Sequence, residues 1–385
     1  MIPYGRQNIS EEDIQSVIDV LRSELITQGP ITPRFEKAVC DYTGSKYGIS
    51  VNSGTSALHV ACLALELGKN DWLWTSPISF VASANCGLYC GARVDFVDID
   101  PLSWNISIDC LREKLIRAKK KNKLPKILVA VHLCGLPCDM EAIYTLSREY
   151  NFHVIEDACH ALGGRYKNSP VGNCRYSDIT VFSFHPVKNI TTGEGGMAVT
   201  NDLQFAEKMR LLRNHGITRN PELLPLEQDG SWHYQQIDLG YNYRLTDFQA
   251  ALGISQLKRL DEFVSKRHKV AQRYDELLSD IPVQLPIRDS ESYSGMHLYV
   301  ICLELEKIKI NHRAVFDGLR KNGVNVNIHY IPIYRQPYYK NFITDQFIQS
   351  EKYYSRAITL PMYPDLSLID QDKVISALKK VLHLS

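Results

Sequence analysis

Short apolar runs alternate with longer amphipathic stretches in most of the chain before residue 257. Runs rich in β-branched residues predict buried strands, and apolar residues recurring every three or four positions predict helices that cover one face of a sheet. The predicted strands are Tyr47–Asn52, Arg93–Asp98, Lys126–His132, Phe152–Glu156, Ile179–Phe184 and Met197–Thr200. The predicted helices are Glu11–Leu21, Thr55–Leu67, Ser79–Cys90, Ile108–Lys121, Met140–Tyr150 and Leu203–Arg213. This alternation is typical of an α/β architecture with a mostly parallel sheet.

The pattern changes after about Leu257. A long charged helix, Lys266–Leu278, is followed by a strand, a helix, a second strand and a terminal helix from Asp370, an order that predicts a smaller α+β domain. The two later strands are His297–Leu303 and Val324–His329, and the helix between them is Arg313–Asn322. We therefore predict a large domain over residues 1–255 and a small domain over residues 256–385, with an N-terminal segment that could pack on the small domain.

Composition narrows the function classes. The 385 residues carry a net charge of +1, and the one dense basic cluster, 119–123, is typical of a solvated helix end, so we expect no nucleic-acid partner. The first residues lack the pattern of a signal peptide, and no apolar stretch is long enough to span a bilayer, so we predict a cytoplasmic protein without a membrane partner. The ten cysteines are scattered without a CxxC, which favours reduced thiols and predicts no metal site.

The stretch "NSGTSA" (52–57) takes a predicted strand into a predicted helix through small polar residues. Free amides at a helix N-terminus, together with the hydroxyls of Thr55 and Ser56, form a suitable phosphate cradle. The lysine of a nucleotide P-loop is absent from this stretch. Simple capping of the helix explains the same residues equally well.

The stretch "IEDACH" (155–160) ends an apolar strand on two carboxylates. Burial of a carboxylate costs free energy unless a cation or hydrogen-bond donors face it. Asp157 is therefore a candidate for binding a cationic group, although an aspartate that caps the next turn, with His160 as an ordinary loop histidine, is the more common interpretation of such a pair.

The stretch "SFHPVKNITTGEGG" (183–196) places Lys188 in a short connection between two predicted core strands. Most turn lysines are simply solvated. The same stretch contains "GEGGMA" (193–198), which matches the dinucleotide pattern G-x-G-x-x-G/A, but that fingerprint must open a helix, and here it enters the strand Met197–Thr200. A nicotinamide-dependent oxidoreductase is therefore disfavoured.

A phosphate cradle, a buried carboxylate and a lysine together are the parts that pyridoxal phosphate requires. The lysine bonds to the cofactor aldehyde, the carboxylate keeps the pyridine nitrogen protonated, and the amides and hydroxyls hold the phosphate. One cofactor thus accounts for all three stretches, which neither capping nor dinucleotide binding does.

The chain resembles the DegT/DnrJ/EryC1/StrS sugar-nucleotide aminotransferases almost from end to end. The landmarks are "TQGP" (27–30), "NSGTSALH" (52–59), "SPISFVASAN" (76–85), "VDFVDID" (94–100), "VHLCGLP" (131–137), "EDACHALGG" (156–164), "FSFHPVKNITTGEGG" (182–196) and "LGYNYRLTDFQAALG" (239–253). The resemblance implies the fold type I of pyridoxal-phosphate-dependent transferases, which is that of aspartate aminotransferase. It also implies a homodimer with shared active sites.

The same resemblance implies residue roles. Lys188 bonds to the cofactor and moves the proton between C4 of the substrate and C4' of the cofactor; Asp157 pairs with the pyridinium, His160 lies beside the phenolic oxygen, and Phe80 stacks on the ring. The phosphate is held by Gly54, Thr55, Ser56 and Ser183, and by Asn242 of the neighbouring subunit. Cys159 stands where alanine or serine is common in the family.

The stretch "VNIHYIPIYRQPYYKN" (326–341), with "PYGR" at residues 3–6, resembles family members of the pseudaminic acid pathway. Those enzymes aminate C4 of a UDP-linked 2-acetamido-2,6-dideoxy-4-keto-hexose, with L-glutamate as donor. Tyr4, Thr27, His329 and Tyr330 are then the expected substrate contacts, unless the stretch is only scaffold. Relatives that act on UDP-4-ketopentose or dTDP-4-keto-6-deoxyhexose share the catalytic residues. Family members that are dehydratases carry histidine in place of the lysine, so Lys188 argues against their chemistry.

Overall fold

A computed structural model describes residues 1–224, 230–288, 290–340 and 345–384. Asn341, the last residue of the 326–341 stretch, lies outside the described residues. The helices are α1 Glu11–Leu21, α2 Ile31–Thr43, α3 Gly54–Ala64, α4 Ala82–Tyr89, α5 Ile108–Lys119, α6 Met140–Tyr150, α7 Leu203–Arg213, α8 Asp247–Leu257, α9 Leu260–Leu277, α10 His312–Lys321, α11 Ile348–Tyr354 and α12 Leu368–Leu382.

The strands of the main sheet are β1 Tyr47–Val51, β2 Trp72–Thr75, β3 Arg93–Phe96, β4 Ile127–Val131 and β5 His153–Asp157, continued after two short strands by β8 Ile179–Ser183 and β9 Gly196–Thr200. The remaining strands are β6 Arg165–Tyr166, β7 Ser169–Pro170, β10 Ile217–Thr218, β11 Gln235–Gln236, β12 Val283–Gln284, β13 Ser292–Tyr293, β14 Tyr299–Leu303 and β15 Ala357–Leu360.

The main sheet has seven strands in the order β1-β9-β8-β5-β4-β2-β3. The pairs β3–β2, β2–β4, β4–β5 and β5–β8 are parallel, whereas β9 is antiparallel to both of its neighbours. This is the mostly parallel, mixed sheet that the alternating pattern predicts. Because parallel strands end at one edge of a sheet, the residues that follow β5 and β8 come together there.

The sequence pattern missed two elements of this layer. Strand β2 has only four residues, Trp72–Thr75, yet it lies between β3 and β4. Helix α2, Ile31–Thr43, lies in a stretch for which the pattern predicts no element. The predicted strand Val324–His329 is wrong: Val324 and Asn327 each form an isolated bridge, and β14 pairs instead with β15. The alternating residues Val324 and Val326 are buried, but the backbone of this stretch forms only isolated bridges and no continuous strand pairing.

Several clusters of buried apolar side chains stabilise the fold. One cluster consists of residues between Val270 and Leu382, with Ile2 packed against it, and surrounds the sheet β12-β14-β15. The others pack on the two faces of the main sheet, and a smaller one joins Trp104 and Leu133 to Leu298 and neighbouring residues. The division into residues 1–255 and 256–385 stays a prediction. None of the helices within the described ranges is long and apolar enough to cross a membrane.

Candidate active site

A cavity of about 530 Å³ lies at the carboxyl edge of the main sheet, where β5 and β8 end and α3 begins. This volume is in the usual range for small-molecule sites, about 300–1,000 Å³. Ten of the residues singled out by the sequence line it: Tyr4, Gly54, Thr55, Phe80, Asp157, His160, Ser183, Lys188, His329 and Tyr330. Residues separated by more than three hundred positions therefore meet around one space.

Lys188 lies in the loop that joins β8 to the antiparallel neighbour β9. The loop is held by the backbone bonds from Phe184 N–H to the Gly195 carbonyl at 2.9 Å and from Thr192 N–H to the Phe184 carbonyl at 3.0 Å. Asn189 anchors it further, since its Nδ2 donates to the carbonyls of Leu162 and Gly295 at 2.8 and 2.7 Å. Burial lowers the pKa of the Lys188 amine below its usual range, against the opposing charges of Cys159 and Asp157.

Helix α3 begins against this loop. Ser53 is the N-cap, and its Oγ accepts the N–H of Ser56 at 3.1 Å. The first amides of a helix have no partner within the helix, so those of Gly54 and Thr55 are available to an anion. A Cβ at Gly54 would lie 3.0 Å from Cβ of Ser183, and a Cβ at Gly196 would overlap the Ser53 backbone. Glycine at both positions lets strands β8 and β9 approach the start of the helix closely.

The acidic pair at the end of β5 divides between the two faces of the sheet, because successive side chains of a strand point in opposite directions. Glu156 receives hydrogen bonds from His132 Nε2 at 2.8 Å, from Ser177 Oγ and from Thr180 Oγ1 at 3.1 Å. Burial on its own raises the pKa of Glu156, but these partners outweigh it and hold the pKa below its usual value. A buried carboxylate was expected to face a cation or hydrogen-bond donors, and Glu156 finds these donors on the side of the sheet away from the cavity.

Asp157, the second member of the pair, lines the cavity and is 6% exposed. Its Oδ2 accepts the hydroxyl of Ser83 at 2.6 Å, and its Oδ1 accepts the N–H of Cys159 at 3.2 Å. The carboxylate is therefore fixed by two donors while the cavity side stays open for a third.

Three histidines and a tyrosine form one part of the cavity wall. His160 Nε2 lies 3.1 Å from the hydroxyl of Tyr330, and its ring is 4.5 Å from the ring of His297. Burial lowers the pKa of both imidazoles well below the usual value. The second cause is the charge of Lys188 for His160 and the charge of His160 for His297. Burial and then Lys188 lower the pKa of His329 to about 4. At neutral pH this wall is uncharged and offers hydrogen bonds only.

Three predicted site residues do not line the cavity of their own chain. The hydroxyl of Ser56 donates to Asn52 Oδ1 at 2.6 Å. Thr27 and Asn242 are exposed, and each forms an isolated bridge, with Thr246 and Asn214 respectively. The two bridged residues are thus held on the surface of the chain.

The cavity also contains residues that sequence reasoning did not assign: Ser53, Ser79, Cys159, His185, Glu194, His297 and Asn327. Ser53 could have been found, because serine is one of the preferred N-cap residues before a helix start. His297 and Asn327 carry no such signal, because their place in the cavity depends on how distant segments pack. Within the described ranges, no group of three or more His, Cys, Asp or Glu side chains is arranged to hold a metal ion.

Comparison with known proteins agrees with this geometry. The sequence model described as "DegT/DnrJ/EryC1/StrS aminotransferase family" matches residues 7–379. The UDP-4-amino-4,6-dideoxy-N-acetyl-beta-L-altrosamine transaminase of Campylobacter jejuni is 36% identical over 99% of this chain and 98% of its own. The spore coat polysaccharide biosynthesis protein SpsC of Bacillus subtilis is 34% identical over 99% and 97% of the two chains.

Solved structures give the same result. Helicobacter pylori PseC, an aminotransferase involved in the biosynthesis of pseudoaminic acid, superimposes with a TM-score of 0.89 at 33% identity, over 99% of each chain. The PMP-form of the Streptococcus pneumoniae protein Spr1654 has a TM-score of 0.89 at 28% identity, over 100% of this chain and 99% of its own. The same protein is also known in a PLP-form.

Proposed function

The chain belongs to the DegT/DnrJ/EryC1/StrS aminotransferase family, and on that premise we propose that it aminates C4 of a UDP-linked 4-keto-6-deoxy sugar with L-glutamate as donor. The sugar is UDP-2-acetamido-2,6-dideoxy-β-L-arabino-hex-4-ulose, and the product is UDP-4-amino-4,6-dideoxy-N-acetyl-β-L-altrosamine. The observation that carries the proposal is the meeting of Lys188, Asp157 and the α3 N-terminus with Tyr4 and His329 around one cavity.

The family fold is fold type I, and the cofactor is pyridoxal phosphate, as the PLP- and PMP-forms of a structural neighbour indicate. The residues of this chain fit it: an amine with a lowered pKa, a fixed carboxylate and a glycine-containing helix start face one cavity. When bound, pyridoxal phosphate supplies an aldehyde that reacts with amines and a ring that withdraws electrons.

Lys188 is the proposed catalytic base. Its amine must be neutral to react with a carbonyl carbon or to accept a proton, and burial increases the neutral fraction by lowering the pKa. In this role Lys188 holds the cofactor between turnovers and moves one proton between C4 of the sugar and C4' of the cofactor. The hydrogen bonds of Asn189 keep the loop, and with it the lysine, in one position.

Three further residues are proposed to hold the cofactor ring. Asp157 keeps the proton on the ring nitrogen, and its two internal donors fix the carboxylate for that task. His160 donates toward the phenolic oxygen. Phe80 covers one face of the ring; its side chain lines the cavity and is 57% exposed in the isolated chain, as a stacking partner for a ligand requires.

The phosphate is proposed to bind at the start of α3, to the amides of Gly54 and Thr55 and to the hydroxyls of Thr55 and Ser183. Ser56 is proposed to join them when its hydroxyl exchanges its bond to Asn52 for one to the phosphate. Asn242 is proposed to reach the phosphate of the neighbouring subunit in a homodimer. Its exposed position, outside the cavity of its own chain, supports this role. Thr27, which is also exposed, is proposed to contact the sugar bound by the partner.

The sugar is proposed to bind between Tyr4, His329 and Tyr330. Nδ1 of His329 donates to Thr359 Oγ1 at 2.8 Å, while its Nε2 accepts from Asn327 Nδ2 at 3.4 Å. The ring of Tyr4 lies 5.6 Å from that of His329 and borders the same cavity. A 2-acetamido group offers both a donor and an acceptor to such a wall, and a buried polar group left unpaired by another sugar costs about 1–3 kcal/mol.

The deciding experiment is a product assay with L-glutamate and a panel of UDP- and dTDP-linked 4-keto sugars. The 2-acetamido sugar should have the highest kcat/KM, by roughly tenfold to hundredfold for each unpaired polar group in a competitor. His329→Ala should lower kcat/KM by a larger factor with this sugar than with one that lacks the acetamido group. Faster turnover of UDP-4-ketopentose or dTDP-4-keto-6-deoxyhexose would reject the substrate while leaving the aminotransferase intact.

The role of Lys188 has an independent test. Borohydride should bleach the visible absorption of the protein, and peptide mapping should then find the pyridoxyl group on Lys188. A label on another lysine would reject the assignment. The shared site is tested by mixing inactive Lys188→Ala with weakened Asn242→Ala protomers, since heterodimers then contain one intact site. Activity no higher than that of the two separate variants would exclude a role for the partner.

A further inference from the structure

Two buried hydroxyls line up behind the carboxylate of Asp157. Ser79 and Ser83 are 3% and 1% exposed, and their Oγ atoms are 2.6 Å apart. Ser83 Oγ lies 2.6 Å from Asp157 Oδ2. The contact joins two distant elements, because Ser83 is the second residue of α4 and Asp157 ends β5, 74 positions later.

The direction of these hydrogen bonds follows from the carboxylate. An ionised carboxylate can only accept, so the single proton of the Ser83 hydroxyl is directed to Asp157. Ser83 Oγ can then only accept from Ser79, whose proton points to it. The result is a chain of two donors that ends on Oδ2, and each bond polarises the next.

The same turn positions a second proposed contact of the cofactor. The N–H of Ser83 donates to the carbonyl of Phe80 at 3.2 Å, so Ser79, Phe80 and Ser83 belong to one turn that opens α4. This turn places a hydroxyl on Asp157 and an aromatic ring in the cavity. A change of Ser83 at constant backbone is therefore the cleanest way to alter Asp157 without altering Phe80.

We infer that Ser83, supported by Ser79, is a positioning residue that sets the protonation of the cofactor ring nitrogen through Asp157. The inference rests on the proposed role of Asp157. A hydroxyl donated to Oδ2 stabilises the ionised carboxylate, so the proton shared by the carboxylate and the ring nitrogen stays on the nitrogen. Without that donor the ionised carboxylate loses one of its two hydrogen bonds from the protein, and the ion pair with the protonated ring nitrogen is stabilised less.

The test uses the holoenzyme loaded with pyridoxal phosphate that carries nitrogen-15 in the ring, with the chemical shift of that nitrogen as readout. The wild type should show a protonated nitrogen, and Asp157→Asn should show an unprotonated one. Ser83→Ala should move the signal part of the way toward Asp157→Asn and lower kcat about tenfold with little change in the KM of the sugar. Ser79→Ala should move it less, and Ser83→Thr, which keeps the hydroxyl, should restore it.

The matched control is Ser147→Ala. Ser147 is a buried serine of α6 whose hydroxyl donates to the carbonyl of Tyr144 at 2.7 Å, and it does not line the cavity. Its signal should equal that of the wild type. An unchanged signal in Ser83→Ala, while Asp157→Asn moves, overturns the inference about Ser83 alone. An unchanged signal in Asp157→Asn overturns the proposed role of Asp157, and the inference with it.

Discussion

Acidification should destabilise the cofactor-free protein through His329. The imidazole is 7% exposed, and burial followed by the charge of Lys188 lowers its pKa from 6.5 to about 4. The folded state therefore binds a proton at this site only below about pH 4, whereas the unfolded chain binds one near pH 6.5. Between these values the unfolded state carries more protons, so stability present above pH 6.5 is lost as the pH falls.

The magnitude follows from the difference between the two pKa values. A difference of about 2.5 units corresponds to about 3.4 kcal/mol when the pH falls below both values. About 2 kcal/mol of this should be lost between about pH 7.5 and about pH 5. Against a typical unfolding free energy of about 5–15 kcal/mol, this loss is easily measured.

The assay is urea denaturation of the cofactor-free wild type and of His329→Gln at a series of pH values. Glutamine does not titrate, so the variant should lose about 2 kcal/mol less than the wild type between about pH 7.5 and about pH 5. Contributions of His160 and His297 are present in both proteins and cancel in the comparison. Tyr4→Phe is the control: it keeps the ring beside His329, and burial raises the pKa of Tyr4, so its curve should follow the wild type.

Parallel curves of the wild type and His329→Gln over this range would refute the reasoning. They would mean that His329 binds its proton equally well in the folded and unfolded states, so that burial does not disfavour the imidazolium. A steeper loss in Tyr4→Phe than in the wild type would point instead to rearrangement of the cavity wall.

Three further outcomes are expected. His132→Ala should lower the free energy of unfolding in urea by about 3–5 kcal/mol, because buried Glu156 loses a principal donor; a loss below about 1 kcal/mol would contradict this. Gly54→Ala should raise the dissociation constant of pyridoxal phosphate at least about tenfold in fluorescence titration, because its Cβ would lie 3.0 Å from Cβ of Ser183 in the proposed phosphate cradle. Unchanged affinity would exclude the cradle. Arg267→Met should destabilise the apoprotein by about 1–3 kcal/mol, because Arg267 is fully buried and its Nη1 donates to three backbone carbonyls. Stability equal to or higher than that of the wild type would show that the desolvation cost of the guanidinium outweighs these hydrogen bonds.

Much of the site could be predicted from sequence because its parts are local. The connection that carries Lys188 joins two strands that are adjacent in the sheet, and the helix start at Gly54 follows its strand directly. Such features depend on residues within a few positions of each other, so apolar periodicity and turn residues reveal them. The same locality explains why the mostly parallel sheet was predicted although β2, with four residues, was not.

The packing of distant segments decided the rest. The sequence contained Glu156 and Asp157 as one acidic pair, but the pleat of β5 sends one to His132 and the other to the cavity and Ser83. His329 reaches the cavity without the strand that periodicity predicts, because Asn327 bridges to Thr359 in the neighbouring sheet. By itself the sequence determined which residue types were present and which stood at the ends of strands. Only the tertiary structure decided which hydrogen-bond partner each polar group found, because those partners lie up to hundreds of positions away and are selected by burial.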